Sequence, residues 1–247
     1  MKKFPRLIAA IAQRFERAIR ILAPWLPSSA PGPARTPALN KVLLNLCGGD
    51  KALAEYVLGW LALQLRQPGT KMSNALWFKA EQGTGKSLYF ERLVLPLFGA
   101  HGAVAHDMSS PFNYWLRDAR LVVVDNAKPD ANDLGKLKHL ITSDRIRVIQ
   151  KAFPPSLIRN RINFICFSGA NYVSPKEDGD RRFTVIEGAP ALSPEIYAAA
   201  AVEIQNGAIY ALGHYLRSHT APGQAIPRHV RTNHREGPLQ TAEGNHA

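Results

Sequence analysis

The chain has 247 residues, 46% of them hydrophobic, with 31 Lys and Arg against 19 Asp and Glu and a formal charge of +12. That length buries one substantial α/β core with short flanking pieces rather than two independent domains, and a pI near 10.0 suits a polyanionic partner such as nucleic acid. Cys47 and Cys166 stand in unrelated contexts with no CxxC, which argues against a disulfide framework or a zinc site and fits a reducing cytoplasm.

Residues 1–23 place Phe4, Ile8, Ile11, Phe15, Ala18 and Leu22 on one stripe among Lys and Arg, a basic amphipathic helix by pattern. Its apolar stretch Leu7 to Ala12 is too short for a signal-peptide core or a membrane span, so no integral membrane segment is expected. Membrane-surface contact, assembly with another helix and packing on its own domain all fit the stripe. Residues 24–39, rich in Pro, Ser, Ala and Gly, read as a linker. A core is expected over 40–190. Within it, Asp50 can cap a helix running through Gln64, with Leu53, Tyr56, Val57, Trp60 and Leu63 on one face and Pro68 with Gly69 ending it.

Leu76, Trp77 and Phe78 read as a buried strand and Ser87 to Leu93 as a helix. Between them lies AEQGTGKS, from Ala80 to Ser87. In such a loop Gly83 and Gly85 let backbone N–H groups approach phosphate oxygens without a Cβ, and Thr84 adds another N–H. Lys86 meets the β/γ-phosphates and Ser87 holds magnesium, while the helix N-terminus favours the anion. Ala80 stands where the first glycine of such loops is usual. The apolar run LVVVD then closes on Asp125, the expected magnesium carboxylate, so ATP and Mg2+ are the expected ligands. His101 and His106 lack the spacing of a helical zinc motif and read as solvated or structural.

Asp133 to Ile141 reads as helical. Ile146 to Ile149 and Leu157 to Arg159 bracket Lys151 and Pro154–Pro155 as the strands of a projecting hairpin would. Ile162 to Phe167 is an apolar run expected beside the strand ending at Asp125, and Phe183 to Ile186 is a shorter one. The fold class expected is α/β, a P-loop core with a mainly parallel sheet and flanking helices. A C-terminal helical segment, Ile196 to Leu216, falls within 191–218, and 219–247 has the composition of a disordered basic tail.

The succession of phosphate loop, LVVVD, LKHLITSDRIRVIQKAFPPS, INFICFSGAN and GDRRF resembles the superfamily 3 helicases of phage and plasmid primase-helicase proteins, from about Cys47 to Glu187. These are AAA+ ATPases. The resemblance implies a hexameric homo-oligomer with ATP at subunit interfaces and DNA, single-stranded by expectation, in the central pore. It sets Lys86 and Ser87 on the Walker A positions and Asp125 on the Walker B acid. Asn171 falls on the sensor amide, and Arg181 and Arg182 on the arginine pair that reaches a neighbour's γ-phosphate. Lys151 falls on the pore hairpin that grips the phosphodiester backbone, with Arg147 and Arg159, and also Arg145 and Arg161, as nearby positive charge.

One departure matters: Asn126 stands where the family carries a second carboxylate, and an amide orients water without taking its proton. The expectation is therefore an ATP-driven DNA helicase or translocase of the replication-initiation type, with a nucleotide-gated DNA-binding ring of little hydrolysis as the alternative. A P-loop small-molecule kinase fits the hairpin and Asn171 poorly, and a membrane-associated protein recruited by the N-terminal helix is a further rival. No primase portion is recognised ahead of the core in this sequence, so the resemblance leaves two options: a separate primase as partner, or a shortened mobile-element relative that acts in loading or origin melting.

Overall fold

The computed structural model describes residues 36–106, 108, 110, 112–125, 127, 131–171 and 180–218. The expected N-terminal amphipathic helix, most of the Pro-rich linker, Asn126 and the C-terminal tail lie outside the described residues. Five parallel strands form the central sheet: β1 (Ala75–Lys79), β2 (Gly102–Ala105), β3 (Leu121–Val124), β6 (Asn163–Ser168) and β7 (Phe183–Glu187), in the order β2-β3-β6-β1-β7. β4 (Arg145–Val148) and β5 (Ser156–Arg159) pair separately as an antiparallel hairpin. The α/β class with a mainly parallel sheet is thus present.

Successive side chains of a strand point to opposite faces, so a sheet covered on both sides needs apolar residues at every position. β3 and β6 are buried throughout. On one face Leu76, Phe78, Leu121, Val123, Ile165, Phe167 and Ile186 share a core with α1 (Pro37–Leu46), α2 (Lys51–Arg66), α5 (Pro194–Gln205) and α6 (Ala208–Ser218). On the other, Trp77, Val122, Val124, Phe164 and Cys166 pack with α4 (Ala131–Thr142) and the inward residues Ile146 and Val148 of the hairpin.

Asp50 caps α2 as expected, accepting from the N–H groups of Ala52 and Leu53 at 2.8 and 3.1 Å. One boundary is corrected. The range 24–39 is not linker to its end, because α1 starts at Pro37, where fixed φ suits a first helical position. Its cap comes from far along the chain: Glu203 of α5 accepts from the N–H groups of Ala38 and Leu39, both at 2.9 Å. The helical segment expected over Ile196 to Leu216 is present as two helices, since Gly207 takes φ +91° and turns the chain between α5 and α6. Ala200, Ala208 and Leu216 belong to the same core as β1, so this helical segment packs directly on the sheet.

The expected helix from Ser87 to Leu93 is α-helical only as α3 (Lys86–Tyr89). It widens into a π-turn over Phe90–Val94 and tightens to 3₁₀ over Leu95–His101, where Pro96 supplies no N–H. Phe90 anchors this segment on the sheet, its ring 4.6 Å from that of Phe78 and 5.7 Å from that of Phe167.

Candidate functional site

Because β1, β3 and β6 are parallel and adjacent, their C-terminal ends share one edge, and that edge is where the chain turns to opposite sides of β1. Ligands of open α/β sheets bind at such crevices. β1 delivers the loop Ala80–Ser87, β3 delivers Asp125, and β6 delivers Asn171 three residues beyond Ser168. Cross-links hold the edge together. The Ala80 N–H donates to the Ser168 carbonyl (3.2 Å), the Ala127 N–H to the Phe167 carbonyl (2.7 Å), and the Trp77 indole to the Ser168 hydroxyl (2.8 Å).

Gly83 and Gly85 take φ +82° and +89°, values that L side chains rarely adopt. Around Gly83 there is open space, whereas a Cβ on Gly85 would come within 2.9 Å of the Tyr197 ring and of Val42. α1 and α5 therefore brace the Ala80–Ser87 loop from behind. Thr84 is buried and its hydroxyl donates to the Glu81 carbonyl (2.8 Å), so its side chain shapes the loop and only its N–H remains for a ligand. The Lys86 ammonium donates to the carbonyls of Ala80 and Glu81, both at 2.7 Å, contacts that a phosphate would have to replace. Burial pushes its pKa down, and the negative charge of Asp125 opposes that shift. Ser87 is exposed at the first turn of α3.

Asp125 is part-exposed and faces His106, whose Nδ1 lies 3.6 Å from its Oδ2. His106 reads from sequence as an unremarkable histidine. The structure brings it to the edge because β2 neighbours β3 and the Asp125 N–H donates to the carbonyl of Ala105 (3.0 Å). Among the described residues no cluster of three metal-binding side chains occurs. Magnesium does not require one, since it is commonly held by one or two protein oxygens, substrate phosphates and water. A carboxylate, a hydroxyl and a loop of glycines at positive φ fit that chemistry.

Arg181 and Arg182 are not brought to this edge. They precede β7, and β7 runs parallel to β1 with Phe183 opposite Ala75, so they sit at the far end of the sheet. Five residues at about 3.3 Å each put roughly 16 Å between the two edges. Arg182 is committed there: Nε and one terminal nitrogen bind Asp180 at 2.8 and 2.9 Å, and Lys138 approaches the same carboxylate at 3.5 Å. Burial of Asp180 acts to raise its pKa, but these hydrogen bonds and charges hold it below the ordinary value. Arg181 is exposed.

The β4–β5 hairpin projects from the side of the sheet opposite α1 and α2. Lys151 is exposed in its turn, next to Ala152 at φ +65° and Phe153, 61% exposed. Arg145 stands directly across from Arg159, and Arg147 lies two residues along the same outward face. Like charges directly opposite destabilise a strand pair, so this face is built for something other than hairpin stability. Asn113 fixes the hairpin to the loop after β2, accepting from the Ile149 N–H (2.7 Å) and donating to the Arg147 carbonyl (3.0 Å). Arg161 is exposed and packs near Gly69, away from this face.

Residues 78–182 match the model of DUF5906, a family of unknown function. That stretch runs from β1 to Arg182. The chain is also 31% identical over 157 residues to a DNA primase-polymerase of Nitratiruptor phage NrS-1, a match covering 60% of this chain and 22% of that protein. Two solved apo structures of the NrS-1 C-terminal region superpose with TM-scores of 0.62 and 0.61 at 26% and 25% identity. They cover 74% and 77% of this chain but 45% and 46% of those chains, so the chain corresponds to about half of the solved region.

Proposed function

We propose that the protein is an ATP-binding motor of DNA replication, a ring-forming helicase or translocase of the superfamily 3 kind. The observation that carries this reading is the convergence on one sheet edge of Lys86, Asp125 and Asn171, each from a different parallel strand, around a loop with glycines at positive φ. In this reading ATP lies against the Gly83–Ser87 loop. Lys86 exchanges its own loop carbonyls for the β/γ-phosphates, and Ser87 and Asp125 hold magnesium. Asn171 orients the attacking water, a positioning task that phosphoryl transfer requires more than covalent chemistry. His106, beside Asp125, is a further polar contact for that water.

Arg181 is the better arginine finger of the pair, because Arg182 is already bound to Asp180. Its position at the far edge of the sheet supports action on a neighbouring subunit's nucleotide, hence a ring. The opposed arginines of the hairpin and the exposed Lys151 suit a phosphodiester backbone. Likeness to a phage DNA primase-polymerase supports a replication setting, with primer synthesis left to another protein or to another part of a longer one.

A second reading rests on Asn126: a ring that ATP assembles on DNA with little turnover. ATP hydrolysis measured with and without single-stranded DNA, on the natural chain, Lys86→Ala and Asn126→Glu, separates the two. A motor gives DNA-stimulated turnover that Lys86→Ala abolishes. Turnover near zero that Asn126→Glu switches on supports the gated ring, and intact ATP binding with no DNA response in any form refutes the motor.

A further inference from the structure

A cavity of about 340 Å³ lies outside the ATP edge, between the loop after β2, α4 and strand β4 of the hairpin. Small-molecule sites begin at about this size and combine apolar walls with a few convergent polar groups. It is lined by the buried Leu140 and Ile146, the exposed Trp115, and Lys136, His139 and Arg147. Among the described residues no carboxylate lines it. Two basic residues and a histidine among aromatic and apolar ones suit a ligand that is flat and apolar at one end and anionic at the other.

We propose that this cavity binds one nucleotide unit, its base against Trp115 and its phosphate toward Arg147, Lys136 and His139. The position argues for a nucleotide of a bound strand, and to that extent the inference deepens the DNA reading. Arg147 belongs both to the cavity and to the outward basic face of the hairpin, and the Asn113 clamp makes loop and hairpin one unit. A backbone held at Arg145, Arg147 and Arg159 therefore passes the mouth of the cavity and can lodge a base there. Stacking on an aromatic side chain tolerates any base, so the site adds affinity without sequence preference.

The test uses labelled oligo(dT) and free thymidine monophosphate with the natural chain, Trp115→Ala, His139→Glu and Lys151→Ala. Trp115 is 38% exposed and His139 is exposed, and unchanged thermal midpoints check that the fold survives. The expected result is a loss of oligo(dT) affinity of roughly ten-fold in each cavity variant, in line with removal of one stacking contact or placement of one negative charge at the phosphate. Oligo(dT) affinity unchanged in both cavity variants, with Lys151→Ala weakened, overturns the cavity and leaves the DNA reading standing. If the natural chain does not bind oligo(dT) at all, the DNA reading fails by itself. Thymidine monophosphate then decides: saturable binding lost in Trp115→Ala keeps the cavity as a free-nucleotide site, and no saturable binding overturns it.

Discussion

Two alanine substitutions in the Ala80–Ser87 loop, measured side by side, separate backbone strain from steric blockage. Gly83 and Gly85 share nearly the same left-handed conformation, φ +82° and +89°, so an alanine at either position pays about 1–2 kcal/mol of backbone strain. The surroundings differ. Nothing lies within 4 Å of a Cβ at Gly83, whereas one at Gly85 would meet the Tyr197 ring and Val42 at 2.9 Å. Forcing a methyl into such a packed contact adds about 1–3 kcal/mol, giving roughly 1–2 kcal/mol for Gly83→Ala and 2–5 kcal/mol for Gly85→Ala. Urea unfolding without nucleotide is the assay. With a slope of about 2 kcal/mol per molar, the midpoint falls by roughly 0.5–1 M in the first variant and 1–2.5 M in the second. Equal midpoints would show that α1 and α5 do not brace the loop, and the account of its rigidity would be wrong.

Glu203→Ala removes both acceptors from the first turn of α1 and should lower stability by about 1–2 kcal/mol, read as a urea midpoint shift. Burial pushes Lys71 down to about 8, with its ammonium directed at the carbonyls of Leu140 and Ile162. Between that value and the ordinary lysine pKa the unfolded chain binds more protons than the folded one, so stability should rise with pH across this window, by up to about 3 kcal/mol. Unfolding free energies from pH 7.5 to 10.5 should show that rise in the natural chain and a flatter curve in Lys71→Met. Replacing Arg145 and Arg159 together by Ala should lower the magnitude of the log–log salt slope of single-stranded DNA binding by about 1.4, two phosphate contacts' worth, in titrations from 50 to 200 mM salt.

Local chemistry in the chain was enough to read the sheet edge. The glycines of the loop, the Lys–hydroxyl pair and the apolar runs of β3 and β6 each announce themselves within a few residues, as does the Asp50 cap. What escaped depends on distant partners. α1 hides in Pro-rich sequence because its cap is Glu203, and β2 is short, made of Gly, Ala and Val, and becomes a strand only by pairing with β3. His106 carries no motif and gains meaning only when that pairing sets it beside Asp125. Arg181 and Arg182 look equivalent in sequence. Asp180, two residues from Arg182, distinguishes them once the chain is folded.

The central claim is that the loop carrying Lys86 and the carboxylate of Asp125 together hold a nucleoside triphosphate with magnesium. Isothermal titration of the folded protein with ATP and Mg2+ tests it most directly. The account predicts saturable heat that disappears in Lys86→Ala and weakens in Asp125→Asn, with thermal midpoints close to the natural value. Absence of heat from the natural chain, or heat indifferent to both substitutions, would contradict it.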